Sequence, residues 1–277
     1  MSVPTITLND QTSIPQLGFG VYQVPPAQTA ATVTTALEIG YRHIDTAQMY
    51  GNEEGVGRAI SASGISRDEL YVTTKLDNGN HRPDDVRRTF DESLARLGLD
   101  QVDLFLIHWP LPTSYDGDYV STWKAMTELR ADGRARSVGV SNFHDVHLDR
   151  IIGETGEAPA VNQIEAHPYL TNDEVRAASH ARGITVEAWA PIARGKVNDE
   201  EVIQRIAKRH GKTPAQVTLR WHVERHDVVF PTTMREERMR ETFDIFDFQL
   251  SPDEVAVITA LDRGEPGRIG PNPESFG

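Results

Sequence analysis

The sequence predicts an α/β fold, a single (β/α)8 barrel of the TIM type with an N-terminal β-hairpin and two additional helices. Segments of strand character alternate with helical segments along the chain, which is typical of a parallel sheet. The segment 102–108 is too apolar for a sheet with one face in water. A chain of 277 residues without a linker or a change of composition fits one such barrel. We therefore treat residues 1–277 as one domain.

The elements follow from local patterns. Apolar residues alternate around a polar turn at 9–11, which predicts the hairpin. The first strand is expected at 17–21, and the second ends at residue 45. The other six are expected at 70–75, 102–108, 136–141, 160–165, 185–189 and 228–231. The helices are expected at 26–39, 53–63, 83–97, 119–131, from about 146, at 172–182, 199–210, 214–225 and 235–243. Ser251 starts a last helix, since it is a good cap followed by acidic residues.

Composition excludes several classes of function. The net charge of -13 argues against a nucleic-acid partner. The absence of cysteine excludes disulfides, thiolate catalysis and cysteine-ligated metals, and it fits a reducing cytoplasm. The first ten residues show no secretory signal, and the longest apolar run is too short to cross a membrane. We expect a cytoplasmic protein, and nothing in the sequence demands more than a monomer.

Polar or aromatic residues stand where nearly every predicted strand ends. Functional side chains of such barrels lie at the carboxyl ends of the strands. The residues at these positions are Asp45, Lys75, His108, Ser141, Asn142, Gln163, Glu165, Trp189, Thr232 and Thr233. The sequence therefore predicts a site in the middle of the barrel mouth.

Asp45, Tyr50, Lys75 and His108 make chemical sense as a catalytic group. A tyrosine with a pKa of roughly 10 is a poor acid near neutrality, and a nearby lysine would lower that pKa. Asp45 would hold Lys75 charged, and His108 would orient a carbonyl or relay a proton. Taken singly, each residue fits a structural ion pair or a buried histidine better. Together at strand ends they favour a proton-donating site.

The chain resembles the aldo-keto reductase superfamily, and most closely the bacterial 2,5-diketo-D-gluconate reductases. The stretches that carry the resemblance cover nearly the whole chain, and they are residues 40–47 before Tyr50-Gly51, Thr74-Lys75, 107–110, 139–143, 161–165 and 235–238. The resemblance implies NADPH-dependent reduction of aldehydes, ketones or dicarbonyls to alcohols. It assigns Tyr50 as the acid, with Asp45, Lys75 and His108 as its partners.

The resemblance also implies how a cofactor is bound. Ser141, Asn142 and Gln163 would hydrogen-bond the nicotinamide carboxamide, which needs both donors and acceptors. Trp189 would be the aromatic surface on which the nicotinamide ring stacks. The alternative for Trp189 is a core residue at the top of the barrel.

The predicted site for the 2′-phosphate of NADPH departs from the family pattern. Thr232 and Thr233 stand where family members usually carry a Lys-Ser pair. Arg235 and Arg238 remain on one face of a helix start and can still bind a phosphate. We expect NADPH to be preferred, with a weaker discrimination against NADH. Near the adenine, Glu241 fits the pattern and the following threonine replaces the usual Asn.

Tyr22, Asp77 and Trp109 are the predicted substrate-pocket residues. Asp77 stands where close relatives carry Trp, so an aromatic wall is replaced by an anion. Acidic substrates such as diketogluconate should suffer from this change, whereas neutral dicarbonyls and aldehydes should not.

Other interpretations remain open at this point. A phosphate-binding barrel isomerase or aldolase would use Lys75 as Schiff base or Glu165 as base. A barrel that senses NADPH, with residual catalysis, is a non-enzymatic alternative. His222 and His226 have the spacing of a zinc helix but lack the glutamate of that motif. We interpret them as part of a charged surface helix, and we expect no metal site.

Overall fold

Eight parallel strands form the central sheet of the computed structural model, which describes residues 3–277. The strands are β3 Phe19–Gly20, β4 His43–Asp45, β5 Tyr71–Leu76, β6 Val102–Ile107, β7 Ala135–Ser141, β8 Val161–Glu165, β9 Thr185–Trp189 and β10 Val228–Val229. They are paired in sequence order. The sheet closes where Leu17 pairs in parallel with Val229, next to the hydrogen bond from Gly18 N to Val229 O. The predicted barrel is confirmed.

The helices surround this sheet. They are α1 Pro26–Ile39, α2 Glu53–Ala62, α3 Pro83–Leu97, α4 Tyr119–Ala131, α5 Asp145–Thr155, α6 Asp173–Ala181, α7 Glu201–His210, α8 Pro214–Glu224, α9 Glu236–Phe243 and α10 Pro252–Thr259. The described residues thus carry the two helices expected beyond the eight units. β3 and β10 are shorter than predicted. Pro231 has no N–H to donate, so the ladder of β10 cannot extend through it.

The N-terminal hairpin closes the lower end of the barrel. Its strands β1 Thr5–Thr7 and β2 Ser13–Pro15 are antiparallel. Leu8 and Ile14 are buried in a cluster with the inward side chains Leu104 and Leu106 of β6. Because this end is filled by side chains, the opening of the barrel lies at the carboxyl ends of the strands.

The helix that carries His222 is not a charged surface helix, and that expectation is wrong. His222 is fully buried, with Nδ1 2.9 Å from Asp227 Oδ2 and Nε2 3.2 Å from the carbonyl oxygen of Pro191. Both ring nitrogens therefore serve the fold, whereas His226 is exposed. Residues 3–277 contain no cluster of three or more His, Cys, Asp or Glu side chains suited to a metal ion. No helix in the same range is long and apolar enough to span a membrane.

Candidate active site

The four predicted catalytic side chains meet at the barrel mouth. Asp45 ends β4, Lys75 is the penultimate residue of β5, and His108 directly follows β6. Tyr50 lies in the short 3-10 turn Gln48–Tyr50, which Gly51 ends in the left-handed conformation with a φ of 65°. Lys75 Nζ is 2.6 Å from Asp45 Oδ1 and 3.3 Å from the Tyr50 hydroxyl oxygen. One ammonium thus links the acid at a strand end to the phenol.

The Lys75 ammonium is fully buried and fully bonded. Besides Asp45 and Tyr50, it donates to the carbonyl oxygen of Thr46 at 2.9 Å. Burial lowers the pKa of Lys75, but the Asp45 carboxylate and the Tyr50 hydroxyl more than offset this, so the pKa lies above its ordinary value. Lys75 is therefore charged at neutral pH, which is unsuited to forming a Schiff base.

The acidity of Tyr50 differs from the sequence expectation. Burial is the largest cause of a rise in the pKa of Tyr50 to about 12, a net value that includes the lowering by the Lys75 ammonium and the smaller rise from the Asp45 carboxylate. The lowering of the Tyr50 pKa by Lys75 that the sequence predicts is present, but the loss of water around the phenol outweighs it. The Tyr50 side chain is half-buried, so water at the open mouth moderates the rise. Tyr50 consequently keeps its proton at neutral pH and can donate it.

His108 lies beside the phenol in its neutral form. The His108 and Tyr50 rings are 5.8 Å apart in an edge-to-face arrangement. Burial, together with the Lys75 charge, holds the pKa of His108 well below 6.5. Its Nδ1 is buried and has no partner among the described residues. A neutral imidazole can orient a carbonyl by a hydrogen bond.

The residues predicted to contact a carboxamide form one hydrogen-bonded cluster. The Ser141 hydroxyl donates to the backbone carbonyl oxygen of Gln163 at 2.7 Å, and Asn142 Nδ2 donates to the backbone carbonyl oxygen of His108 at 3.0 Å. Trp189 Nε1 donates to Asn142 Oδ1 at 2.8 Å. Asn142 adopts the left-handed conformation with a φ of 63°, which few residues other than Gly and Asn tolerate. The half-buried Trp189 ring and these amides therefore occupy one side of the mouth.

Sequence reasoning missed Glu187, which is fully buried beside Gln163. Gln163 Nε2 is 2.8 Å from Glu187 Oε2 and 3.0 Å from Asp45 Oδ2. Burial raises the pKa of Glu187 to about 8, and the Asp45 charge adds to the rise. A signal was present, because Glu187 is an acid two residues before Trp189 in a strand and so shares its face.

The predicted phosphate-binding residues lie together in the loop after β10 and the start of α9. Thr232, Arg235 and Arg238 are exposed, and Thr233 Oγ1 accepts the Arg235 N–H at 3.2 Å. Neither arginine forms an ion pair within residues 3–277. In contrast, Glu241 Oε1 already accepts the Thr213 hydroxyl at 2.6 Å.

Two of the predicted pocket residues flank the mouth. Tyr22 is 50% exposed, and its ring lies 5.1 Å from that of Tyr50. Trp109 packs against Phe276 with the ring centroids 4.5 Å apart. No local pattern predicts that the C-terminal segment reaches Trp109, because only the fold brings them together.

The Asp77 carboxylate is held at its own turn. Its Oδ1 accepts the Gly79 N–H at 2.9 Å, so the carboxylate caps its own turn. Its backbone N–H donates to Gln48 Oε1 at 2.8 Å, which ties this turn to the one that carries Tyr50.

Glu165 anchors the C-terminal segment over the barrel. Its carboxylate accepts the N–H groups of Ile269 at 2.6 Å and Gly270 at 2.9 Å, and His167 Nε2 lies 2.9 Å from Oε1. A Cβ added at Gly270 would lie 2.4 Å from Trp189 Cη2, so the backbone sits directly against the indole. Because these contacts occupy the carboxylate, Glu165 is not placed to act as a catalytic base.

Comparisons with known proteins show the family to which the chain belongs. The methylglyoxal reductase DkgA of Yersinia pestis is 47% identical over 277 residues, covering 99% of this chain and 98% of the relative. A crystal structure of a variant of Gox0644 in complex with NADPH superposes with a TM-score of 0.95, at 40% identity and with 100% of both chains covered. A structure of a putative 2,5-diketo-D-gluconic acid reductase B has a TM-score of 0.92 at 38% identity, covering 99% of this chain and 96% of that one. The model of the aldo/keto reductase family matches residues 15–263, and the chain belongs to that family.

Proposed function

We propose that this chain is an NADPH-dependent reductase of neutral aldehydes and dicarbonyls, with Tyr50 as the proton donor. Carbonyl reduction by an oxidoreductase follows from the family. The observation that carries the proposal is the buried Lys75 ammonium, which lies within hydrogen-bond distance of both Asp45 and the Tyr50 hydroxyl.

The side chains divide the chemistry among them. The Tyr50 O–H would donate to the carbonyl oxygen, and its proton would move to that oxygen as the alcohol forms. The Lys75 ammonium stabilises the phenolate that remains, and Asp45 keeps Lys75 charged. Neutral His108 would hold the carbonyl by a hydrogen bond.

The residues present fit a nicotinamide cofactor. Trp189 offers a half-buried aromatic surface, and Ser141, Asn142 and Gln163 supply amide and hydroxyl groups at its edge. The exposed Arg235 and Arg238, with the Thr232 and Thr233 hydroxyls, would hold a 2′-phosphate, and Glu241 would contact the adenine. NADPH supplies the hydride when it is bound. Since Thr232 stands where family members usually carry a lysine, the preference for NADPH over NADH should be smaller than in those members.

Substrate choice follows from the pocket. The rim carries Tyr22 and Trp109, and the Asp77 carboxylate is held close by at its own turn. Lys75 is fully bonded to Asp45, Thr46 and Tyr50, so its charge is not free to bind an acidic substrate. The relation to a methylglyoxal reductase supports a small neutral dicarbonyl. A higher kcat/KM for diketogluconate than for methylglyoxal would contradict this assignment.

Titration with NADPH and with NADH, followed by tryptophan fluorescence, tests the proposal most simply. Both cofactors should quench the emission of Trp189, and NADPH should bind more tightly by a modest factor. A Trp189→Phe variant is the matched control, since it should lose the quenching but keep much of the binding. Absence of quenching by either cofactor would refute the reductase function. The expected monomeric state can be checked on the same sample by light scattering, and the cytoplasmic location by cell fractionation.

The alternative functions find less support. An isomerase or aldolase would need a free Glu165 or a neutral Lys75, and both groups are engaged. A sensing barrel would not need Tyr50 and Lys75 in bonded contact.

A further inference from the structure

We infer that Glu187 is a positioning residue for Gln163, holding its amide so that the oxygen faces the mouth and can accept an N–H of a nicotinamide carboxamide. This inference rests on the proposed function and deepens it, because it adds a residue to the cofactor site that no motif assigned.

The backbone fixes the pair side by side. Gln163 of β8 is the direct partner of Glu187 in β9. The Gln163 amide nitrogen lies 2.8 Å from Glu187 Oε2 and 3.0 Å from Asp45 Oδ2. Gln163 is 2% exposed and Glu187 is 0% exposed, so water does not supply these bonds.

The orientation of the amide follows from its neighbours. An ionised carboxylate such as that of Asp45 can only accept, so the amide nitrogen and not the oxygen must face it. Glu187 takes the second N–H. With both N–H groups engaged, the amide cannot turn without leaving a buried donor unpaired. Gln163 Oε1 accepts no hydrogen bond within residues 3–277, and it is not fully buried.

Glu187 suits this role because it adds no second negative charge beside Asp45. The charged and titratable groups that act on it are Asp45 of β4 and Lys75 of β5, and Tyr71 of β5 also responds to its charge. Burial raises the pKa of Glu187 to about 8, so its carboxyl is neutral at pH 7. A glutamine at this position would have nearly the same shape and could offer its own oxygen to Gln163.

The test compares NADPH with 2′,5′-ADP, which carries the adenine and the 2′-phosphate but no nicotinamide. Dissociation constants are measured at pH 7 for wild type, Glu187→Leu, Glu187→Asp and Glu187→Gln. In Glu187→Leu, NADPH should bind about tenfold more weakly, whereas 2′,5′-ADP should bind as in wild type. The Glu187→Asp side chain is one methylene shorter, so this variant should lose less NADPH affinity than Glu187→Leu. Glu187→Gln should keep NADPH affinity within about twofold of wild type.

The outcomes distinguish a failure of the Glu187 role from a failure of the reductase function. Equal losses for NADPH and 2′,5′-ADP, or no loss in Glu187→Leu, would overturn the positioning role. If Glu187→Leu does not fold, unchanged NADPH affinity in Glu187→Asp would overturn it. If wild-type protein binds 2′,5′-ADP as tightly as NADPH, the nicotinamide contributes no affinity and the inference is overturned. The proposed reductase function is then tested separately by measuring turnover. Wild-type protein that binds neither ligand would refute the proposed function and this inference together.

Discussion

Replacing Glu187 by Gln should stabilise the fold at neutral pH, and by an amount that depends on pH. Burial, with the Asp45 charge, raises the pKa of Glu187 from 4.5 to about 8. The folded state therefore holds this proton to higher pH than the unfolded chain does. Between these two pKa values the folded state binds more protons, so the contribution of Glu187 to the free energy of unfolding falls as the pH rises.

The size of the effect follows from the shift. At pH 5 the ionised form is only slightly favoured in the unfolded chain, and the cost of keeping Glu187 neutral is about 1 kcal/mol. At pH 7 this cost reaches about 3 kcal/mol, and it levels off above the folded pKa. Glu187→Gln removes this titration, whereas the burial of its amide contributes equally at every pH. The gain of the variant over wild type should thus grow by about 2 kcal/mol between pH 5 and pH 7.

Denaturant unfolding of both proteins at pH 5, 6, 7 and 8, followed by tryptophan fluorescence, measures the difference. Other titrating groups cancel to first order, because both chains share them. A difference in the free energy of unfolding that stays constant across this range would refute the assignment of a neutral, buried Glu187.

Two further predictions concern the cofactor site. Thr232→Lys should raise the ratio of NADPH to NADH affinity by about fivefold or more, because a cation would return beside the 2′-phosphate. Met234→Lys in the same exposed loop is the matched control, and an equal rise there would mean that any added charge suffices. Gly270→Ala should lower the free energy of unfolding by about 1–3 kcal/mol, and with it the melting temperature, since the new Cβ would meet Trp189. It should also change the quenching of Trp189 emission by the cofactor. Gly153→Ala is its control, as a Cβ there meets nothing within 4 Å, and equal melting temperatures for the two variants would contradict this packing.

The sequence carried enough information to predict the barrel and the meeting of Asp45, Tyr50, Lys75 and His108 at its mouth. The strand ends were recognisable because apolar runs such as 102–107 give way abruptly to polar residues. The paired carboxyl ends of parallel strands then bring Asp45, Lys75 and His108 together whatever the loops do. These patterns lie within short segments, so they can be recognised from the sequence alone.

Other features could not be predicted, because they depend on contacts between distant segments. Phe276 reaches Trp109, and Ile269 and Gly270 bind Glu165, only through the path of the C-terminal segment. The pKa of Tyr50 also escaped prediction. A sequence indicates that a lysine is near, but the balance between its charge and the loss of water is set by burial. Similarly, Asp77 was identified as an anion, while the turn that binds its carboxylate became visible only in the structure.

The Tyr50→Phe variant tests whether Tyr50 donates the proton to the carbonyl oxygen. The phenyl ring keeps the packing against Tyr22 and His108 but has no proton to give. We predict that reduction of methylglyoxal by NADPH falls by at least about a hundredfold in kcat, which is the usual contribution of a positioned acid. NADPH affinity should stay within about threefold, or roughly 0.7 kcal/mol. Tyr119→Phe in α4 controls for the loss of a buried hydroxyl elsewhere. Turnover of Tyr50→Phe close to that of wild type would rule out Tyr50 as the proton donor.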